Sequence, residues 1–162
     1  MRKDHSVGTP ATVALGTAGV AFTPHPYTHD AAAAGYGIEA AEALGVPASR
    51  VFKTLLADVD GALVVAVVPV AGQLDLKALA AAVGGKKAAM ADPRLAERKT
   101  GYVVGGISPV GQKTRLRTVL DRSANDFDTI FVSGGRRGFD IELVPGDLAT
   151  VTGATLADIA RP

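Results

Sequence analysis

The chain has no cysteine and no tryptophan among its 162 residues. Without thiols it can form no disulfide, use no thiolate nucleophile and build no cysteine metal site. A chain without disulfides suits a reducing compartment, so we expect a cytoplasmic protein.

Histidine is scarce, with only three residues: His5, His25 and His29. His25 and His29 are four positions apart, but Pro24 and Pro26 rule out the helix that would place them side by side as metal ligands. The sequence also lacks a G-x-S-x-G elbow, the turn that presents a serine nucleophile. We therefore expect no metal, no cofactor and no Ser-His-Asp triad.

Long apolar runs are absent as well. No segment reaches the roughly 18 apolar residues of a membrane span, and residues 1–8 are too polar for a signal peptide, so we expect a flexible tail there.

The net charge is +1, which by itself predicts no charged partner. However, eleven of the seventeen cations and only five acids lie between Lys86 and Arg137. Such a cluster is either a phosphate-binding surface or an ordinary solvated one.

The sequence does contain enough apolar residues, 48%, for one core of ordinary size. We expect a single domain over residues 9–162. Predicted strands and short helices alternate without a regular βαβ repeat, which favours an α+β (mixed α/β) fold with peripheral helices.

Caps and turns mark most of the predicted elements. Thr9-Pro10 begins a helix that ends at Gly19, and Asp75 and Asp92-Pro93 begin two more. Residues 51–58 and 62–70 form the clearest hairpin, whose second strand is apolar on both faces and therefore central. Further elements are predicted as a flexible segment at 31–37, helices at 38–44 and 145–151, strands at 86–90, 116–120, 129–133 and 139–144, and a short final element at 155–160.

The most unusual stretch is residues 99–113, K-T-G-Y-V-V-G-G-I-S-P-V-G-Q-K. We expect a strand at 102–104 that leads into a rigid glycine loop, either a ligand-binding loop or an ordinary turn. The loop is close to a P-loop, but Gln112 separates Gly111 from the lysine, and Pro109 removes one phosphate-binding amide. Hydrolysis of nucleoside triphosphates is therefore excluded.

Two strands carry polar residues in unusual places. Lys53 lies among apolar neighbours on both faces of residues 51–56, so it must snorkel to water from an edge strand, form a pair, or face a cavity. In residues 139–143, Asp140 and Glu142 alternate with apolar residues. Such a carboxylate could bind an ammonium group, or the segment could be an ordinary half-exposed strand.

Four blocks of the sequence resemble one known family. The blocks are V-F-K-T-L-L (51–56), P-V-A-G-Q-L-D-L (69–76), T-G-Y-V-V-G-G-I-S-P-V-G-Q-K (100–113) and S-G-G-R-R-G-F-D-I-E-L (133–143). They are similar to the YbaK/EbsC family, free-standing relatives of the editing domain in bacterial prolyl-tRNA synthetases. The resemblance extends over about residues 10–161. H-P-Y-T-H-D (25–30) and M-A-D-P (90–93) place the chain nearest the Cys-tRNA(Pro) deacylase branch.

The resemblance implies a compact mixed α/β domain with a curled, barrel-like sheet. It also implies hydrolytic editing of Cys-tRNA(Pro), with the 3′ end of tRNA(Pro) as substrate and prolyl-tRNA synthetase as a possible partner. The cysteinyl thiol of the substrate, or water, would attack the ester, so the enzyme needs only to orient it. Two alternatives stay open: an Ala-tRNA(Pro) deacylase of the same fold, and a non-catalytic module that binds nucleic acid or a partner.

The resemblance also assigns site residues by position. Lys53 matches the essential lysine of the family, which contacts the tRNA 3′ end and orients the ester. The substrate-binding positions are Thr54 in the same block, the loop residues Gly105, Gly106, Ser108 and Pro109, and the pocket residues Tyr27, Ser133 and Asp140.

Overall fold

The computed structural model describes residues 8–29 and 35–162. Apart from Gly8, the predicted tail therefore lies outside the described residues, and so do residues 31–34 of the predicted flexible segment. Within the described ranges there are five α-helices: α1 Pro10–Ala18, α2 Tyr36–Leu44, α3 Leu76–Ala82, α4 Pro93–Thr100 and α5 Pro145–Thr152. No helix in these ranges is long and apolar enough to cross a membrane.

Ten strands accompany the helices: β1 Thr23–Pro26, β2 Phe52–Val59, β3 Ala62–Pro69, β4 Gln73–Leu74, β5 Ala88–Met90, β6 Arg117–Asp121, β7 Ile130–Arg136, β8 Phe139–Leu143, β9 Thr155–Ala157 and β10 Ala160–Arg161. They form three sheets with the strand orders β5-β2-β3-β6-β9, β1-β8-β7 and β10-β4. The five-stranded sheet is mixed, because β3 pairs antiparallel with β2 and parallel with β6. This confirms the predicted mixed α+β domain.

The predicted hairpin is confirmed as β2 and β3, which pair antiparallel over their whole length. Its turn residues Asp60 and Gly61 have φ of 52° and 93°, which matches the Asp-Gly signal for a tight hairpin turn. β3 is the middle strand and carries apolar residues on both faces. Val65 and Val67 pack into the largest core, whereas Val64, Ala66 and Val68 pack into a second core that includes α3.

The two larger sheets meet through the core and through one bridge. Val51, directly before β2, pairs with Phe131 of β7. Both residues belong to a third apolar cluster with Ala40 and Ala41 of α2. Among the described residues the three sheets remain separate, and none closes into a barrel, so the expected barrel-like curl is not confirmed.

The strand predicted at residues 102–104 is wrong. Tyr102 lies in a bend and Val104 in a turn instead, and Val103 between them belongs to no regular element. They are flanked by Gly101 and Gly105, whose φ values of 81° and 90° lie in the left-handed region and reverse the chain direction. Tyr102 is buried and donates its hydroxyl to the Val110 carbonyl at 2.6 Å, which ties the loop to itself.

The predicted helix caps are confirmed. Thr9 forms a capping box with Thr12, and the Asp75 and Asp92 side chains accept backbone amides at the starts of α3 and α4. The short final element is divided into β9 and β10. A 3-10 helix at Arg122–Asp126 was not anticipated from the sequence.

Candidate active site

A cavity of about 410 Å³ lies between the start of β2, the β7–β8 pair, α2 and the loop after α4. At Lys53 and Thr54 the edge of β2 is open, because β5 pairs with β2 only from Ala57 to Val59. Six of the residues assigned from the sequence line this cavity: Tyr27, Lys53, Thr54, Gly105, Ser133 and Asp140.

Lys53 is half-buried on β2, and its ammonium group donates to the Gly72 carbonyl at 3.1 Å. No carboxylate of the described residues lies within ion-pair distance of it. Burial lowers the pKa of Lys53 below its ordinary value because water no longer stabilises the charge fully. The side chain therefore presents a cation with unused donors beside the cavity.

Thr54 follows Lys53 but lies on the opposite face of the strand. Its Oγ1 is buried and has no hydrogen-bond partner among the described residues. A buried hydroxyl without a partner costs stability, and such groups occur where a ligand supplies the missing bond. Its position on the cavity wall is consistent with that use.

Asp140 on β8 is only 6% exposed, although it lines the cavity. Burial raises the pKa of its carboxyl group to about 7, because the surroundings disfavour the charged form. No described residue donates a hydrogen bond to the two oxygens of this carboxyl group. A buried carboxyl group without a partner would gain strongly from a cationic group that enters the cavity.

Tyr27 and Ser133 complete the polar part of the wall. Burial, followed by the nearby carboxylates of Asp140 and Glu39, raises the pKa of Tyr27 to about 12, so its phenol keeps its proton and can donate a hydrogen bond. Ser133 is opposite Asp140 in the β7–β8 ladder, and its Oγ accepts the Gly135 amide at 3.2 Å.

The glycine loop contributes less to the cavity than the sequence suggests. Gly105 lines the cavity, but Gly106, Ser108 and Pro109 are buried behind it. Ser108 Oγ accepts the Val110 amide at 3.2 Å, and a Cβ on Gly106 would lie 2.7 Å from the Arg136 backbone. These three residues hold the loop in place, and their predicted contact with substrate stays a prediction.

The rest of the cavity wall is mostly apolar and was not assigned from the sequence. It includes Tyr36, Ile38, Met90, Val104 and Ile107. Tyr36, Ile38 and Met90 are also partly exposed, at 40%, 40% and 51%. Exposed large apolar residues could have marked a binding surface, but exposure is not visible in the sequence.

The described residues contain no cluster of His, Asp and Glu that could hold a metal ion. His25 contacts Glu142 at 2.8 Å and His29 contacts Glu39 at 2.9 Å, so the two histidines are used in separate pairs. Arg50 also reaches Glu142, at 3.1 Å.

The chain is similar to several known proteins. Residues 32–151 match the model of the aminoacyl-tRNA editing domain. EbsC of Enterococcus faecalis, provisionally named a Cys-tRNA(Pro)/Cys-tRNA(Cys) deacylase, is 43% identical over 121 residues, which cover 74% of this chain and 73% of EbsC. YwhH of Bacillus subtilis, an uncharacterised protein, is 34% identical over 112 residues, 68% of this chain and 71% of YwhH.

Solved structures give the same result. A protein provisionally named a trans-editing enzyme for prolyl-tRNA synthetase superposes with a TM-score of 0.82 at 26% identity, over 99% of this chain and 100% of that one. A hypothetical protein superposes with a TM-score of 0.84 at 26% identity, over 94% and 99% of the two chains. The resemblance inferred from the four sequence blocks is confirmed, and the chain belongs to the aminoacyl-tRNA editing domain family.

Proposed function

We propose that this protein hydrolyses the ester of mischarged Cys-tRNA(Pro) in trans. The observation that carries the proposal is the cavity of an editing domain in which Lys53 and Asp140 are polar groups within a largely apolar wall. The 43% identity to EbsC supports cysteine as the amino acid. A small apolar pocket with a few polar groups suits one amino acid on a ribose.

Asp140 would bind the α-ammonium group of the cysteinyl residue. The carboxyl group is buried, and a cation beside it would favour its charged form. The Tyr27 phenol, which stays protonated, could donate to the same carboxylate or to the substrate. The apolar wall would then take the short CH₂–SH side chain.

Lys53 would contact the ribose oxygens of the tRNA 3′ end and orient the ester. The Gly72 carbonyl uses one of its three N–H donors, which leaves two for the substrate. The amide of Gly105 donates to no other described residue, and the Thr54 hydroxyl lacks a partner. Both could stabilise the oxyanion that develops during attack.

In the proposed reaction the substrate supplies its own nucleophile. The cysteinyl sulfur gives up its proton and bonds to the ester carbonyl carbon, and the bond from that carbon to the ribose oxygen breaks. The ribose oxygen takes up a proton, and water then opens the resulting four-membered thiolactone to free cysteine. The protein contributes orientation and electrostatic stabilisation, which requires no nucleophile of its own.

Prolyl-tRNA synthetase is the proposed partner that selects the tRNA. A single domain of 162 residues has little surface for reading the whole of a tRNA. The superposition on a protein provisionally named a trans-editing enzyme for that synthetase supports this partner.

The test is deacylation of Cys-tRNA(Pro) and Ala-tRNA(Pro) by the wild type, Lys53→Ala and Lys77→Ala. Lys77 is an exposed lysine on α3 and serves as the matched control. We expect rapid loss of the cysteinyl ester with the wild type and with Lys77→Ala. Lys53→Ala should be slower by at least about a hundredfold, because an orienting and charge-stabilising group is lost.

Other results would contradict parts of the proposal. A preference for the alanyl ester would overturn the cysteine assignment. Equal rates for Lys53→Ala and the wild type would remove Lys53 from the reaction, and two intact esters with the wild type would overturn the hydrolytic function.

A further inference from the structure

Arg137, in the turn between β7 and β8, is held at the rim of the cavity by two contacts. Its Nε donates to the Val104 carbonyl at 2.9 Å, and its guanidinium lies 5.0 Å from the centre of the Tyr36 ring. Val104 and Tyr36 both line the cavity, and Tyr36 is 40% exposed. The guanidinium therefore sits where the cavity opens to solvent.

The Tyr36 ring is itself fixed in position. A Cβ on Gly105 would lie 2.8 Å from three of its ring atoms, so the ring rests directly on the glycine backbone. Only a glycine at position 105 permits this approach. Three elements thus meet at Tyr36: helix α2, the loop that follows α4, and the turn between β7 and β8. Arg137 lies over the Tyr36 ring at this point.

Arg137 has donors left for a ligand. Apart from the Nε bond, its guanidinium makes no hydrogen bond or ion pair with another described residue. The four remaining N–H groups form a planar, permanently charged fork that matches two oxygens of a phosphate. Preorganisation by the tyrosine ring and the carbonyl reduces the entropy lost on binding.

We propose that Arg137 binds the phosphate of the 3′-terminal nucleotide of the aminoacylated RNA, with Tyr36 as its positioning residue. The inference rests on the proposed function, because an aminoacyl group seated beside Lys53 and Asp140 leaves its ribose at the cavity mouth. The next anionic group along the RNA is then the phosphate of that nucleotide.

The test separates binding from catalysis. We would compare the wild type, Arg137→Ala, Arg137→Lys and Arg122→Ala, where Arg122 is an exposed arginine paired with Asp158. The probes are Cys-tRNA(Pro) for kcat and KM, and an uncharged tRNA(Pro) acceptor-stem hairpin with its single-stranded 3′ tail for Kd, measured by fluorescence anisotropy at several salt concentrations.

For Arg137→Ala we expect KM and Kd to rise about tenfold with kcat nearly unchanged, because one charge-assisted phosphate contact is lost. The slope of log K against log salt should become shallower by about 0.7, the value for one phosphate of a single strand. Arg137→Lys should recover part of the affinity, since it keeps the charge but not the fork. Arg122→Ala should match the wild type.

Two results would overturn the inference: an unchanged Kd and salt slope, or a loss of kcat with unchanged Kd, which would make Arg137 a structural clamp on the loop. Hairpin binding that depends on Arg137 in a wild type that hydrolyses neither ester would uphold this inference while the proposed function failed. The two proposals can therefore fail separately.

Discussion

Asp140 and Thr54 are polar side chains placed where folding gains nothing from them. Asp140 is a carboxyl group buried without a hydrogen bond from any described residue, and the Thr54 hydroxyl is buried without a partner. Each arrangement costs free energy in the folded chain. Both residues line the same cavity, where a ligand could supply the missing contacts. At the scale of single residues, the site is marked by this unmet bonding capacity.

The raised pKa of Asp140 predicts how stability depends on pH. Between about pH 4 and 7 the unfolded chain has lost this proton and the folded chain still holds it, so the free energy of unfolding falls as pH rises. Asp140→Asn removes the ionisation. We therefore expect the variant to gain stability over the wild type between pH 4 and 8, by up to about 4 kcal/mol, measured by urea denaturation.

Asp128→Asn, at an exposed carboxylate, reports the effect of the same substitution away from the cavity. If the difference between Asp140→Asn and the wild type were constant across this pH range, the pKa of the Asp140 carboxyl group would not be raised in the folded chain.

At the scale of elements, the loop after α4 is the part that sequence patterns described least well. Its apolar residues resemble a strand, but no neighbouring strand is available, and the flanking glycines turn the chain back on itself. The loop is instead held by contacts with distant segments, including the Arg136 backbone behind Gly106. Strand propensity decides little where no partner exists.

We predict that Gly106→Ala destabilises the protein by about 2 kcal/mol or more. The new Cβ would lie 2.7 Å from the Arg136 backbone. Either the loop must move, or the end of β7 must, where the pairing with β8 shifts register between Ser133 and Arg136. Gly146→Ala in α5 is the matched control, because its Cβ meets nothing within 4 Å and alanine favours the helix by roughly 0.5–1 kcal/mol. Thermal unfolding of both variants measures the difference.

A stability of Gly106→Ala equal to that of the wild type would mean that the loop is not packed against β7. Packing against β7 would then not hold Gly105 in the cavity wall, and it would not hold the Tyr36 ring that rests on Gly105.

At the scale of the whole molecule, the far end of the described chain supports the candidate catalytic lysine. β10 pairs with β4, and the Arg161 carbonyl lies where a Cβ on Gly72 would come within 2.7 Å. The Gly72 carbonyl in turn accepts a hydrogen bond from the Lys53 ammonium group. Contacts between segments almost 90 positions apart in the sequence thus place one side chain.

We predict that Gly72→Ala lowers kcat/KM for the cysteinyl ester by about tenfold or more, mainly through kcat. The added methyl group would displace the carbonyl that orients Lys53, and a small misplacement of an orienting group slows a reaction strongly. Gly16→Ala in α1, where a Cβ meets nothing within 4 Å, should keep wild-type activity.

Steady-state kinetics with matched circular dichroism spectra would distinguish this effect from unfolding. Wild-type kcat in a folded Gly72→Ala variant would show that the Gly72 carbonyl does not orient Lys53.

The sequence by itself determined the helix caps, the β2–β3 hairpin, the central position of β3 and the alternation that separates Asp140 from the core. These features depend on neighbours a few residues apart, where local geometry and apolar periodicity are sufficient. The four sequence blocks also identified the family. The tertiary structure alone decided that β2 has an open edge at Lys53, that Asp140 is buried without a partner, and that Arg137 reaches the cavity rim. These properties depend on which distant segments pack together, and one strand's residue pattern does not encode that packing.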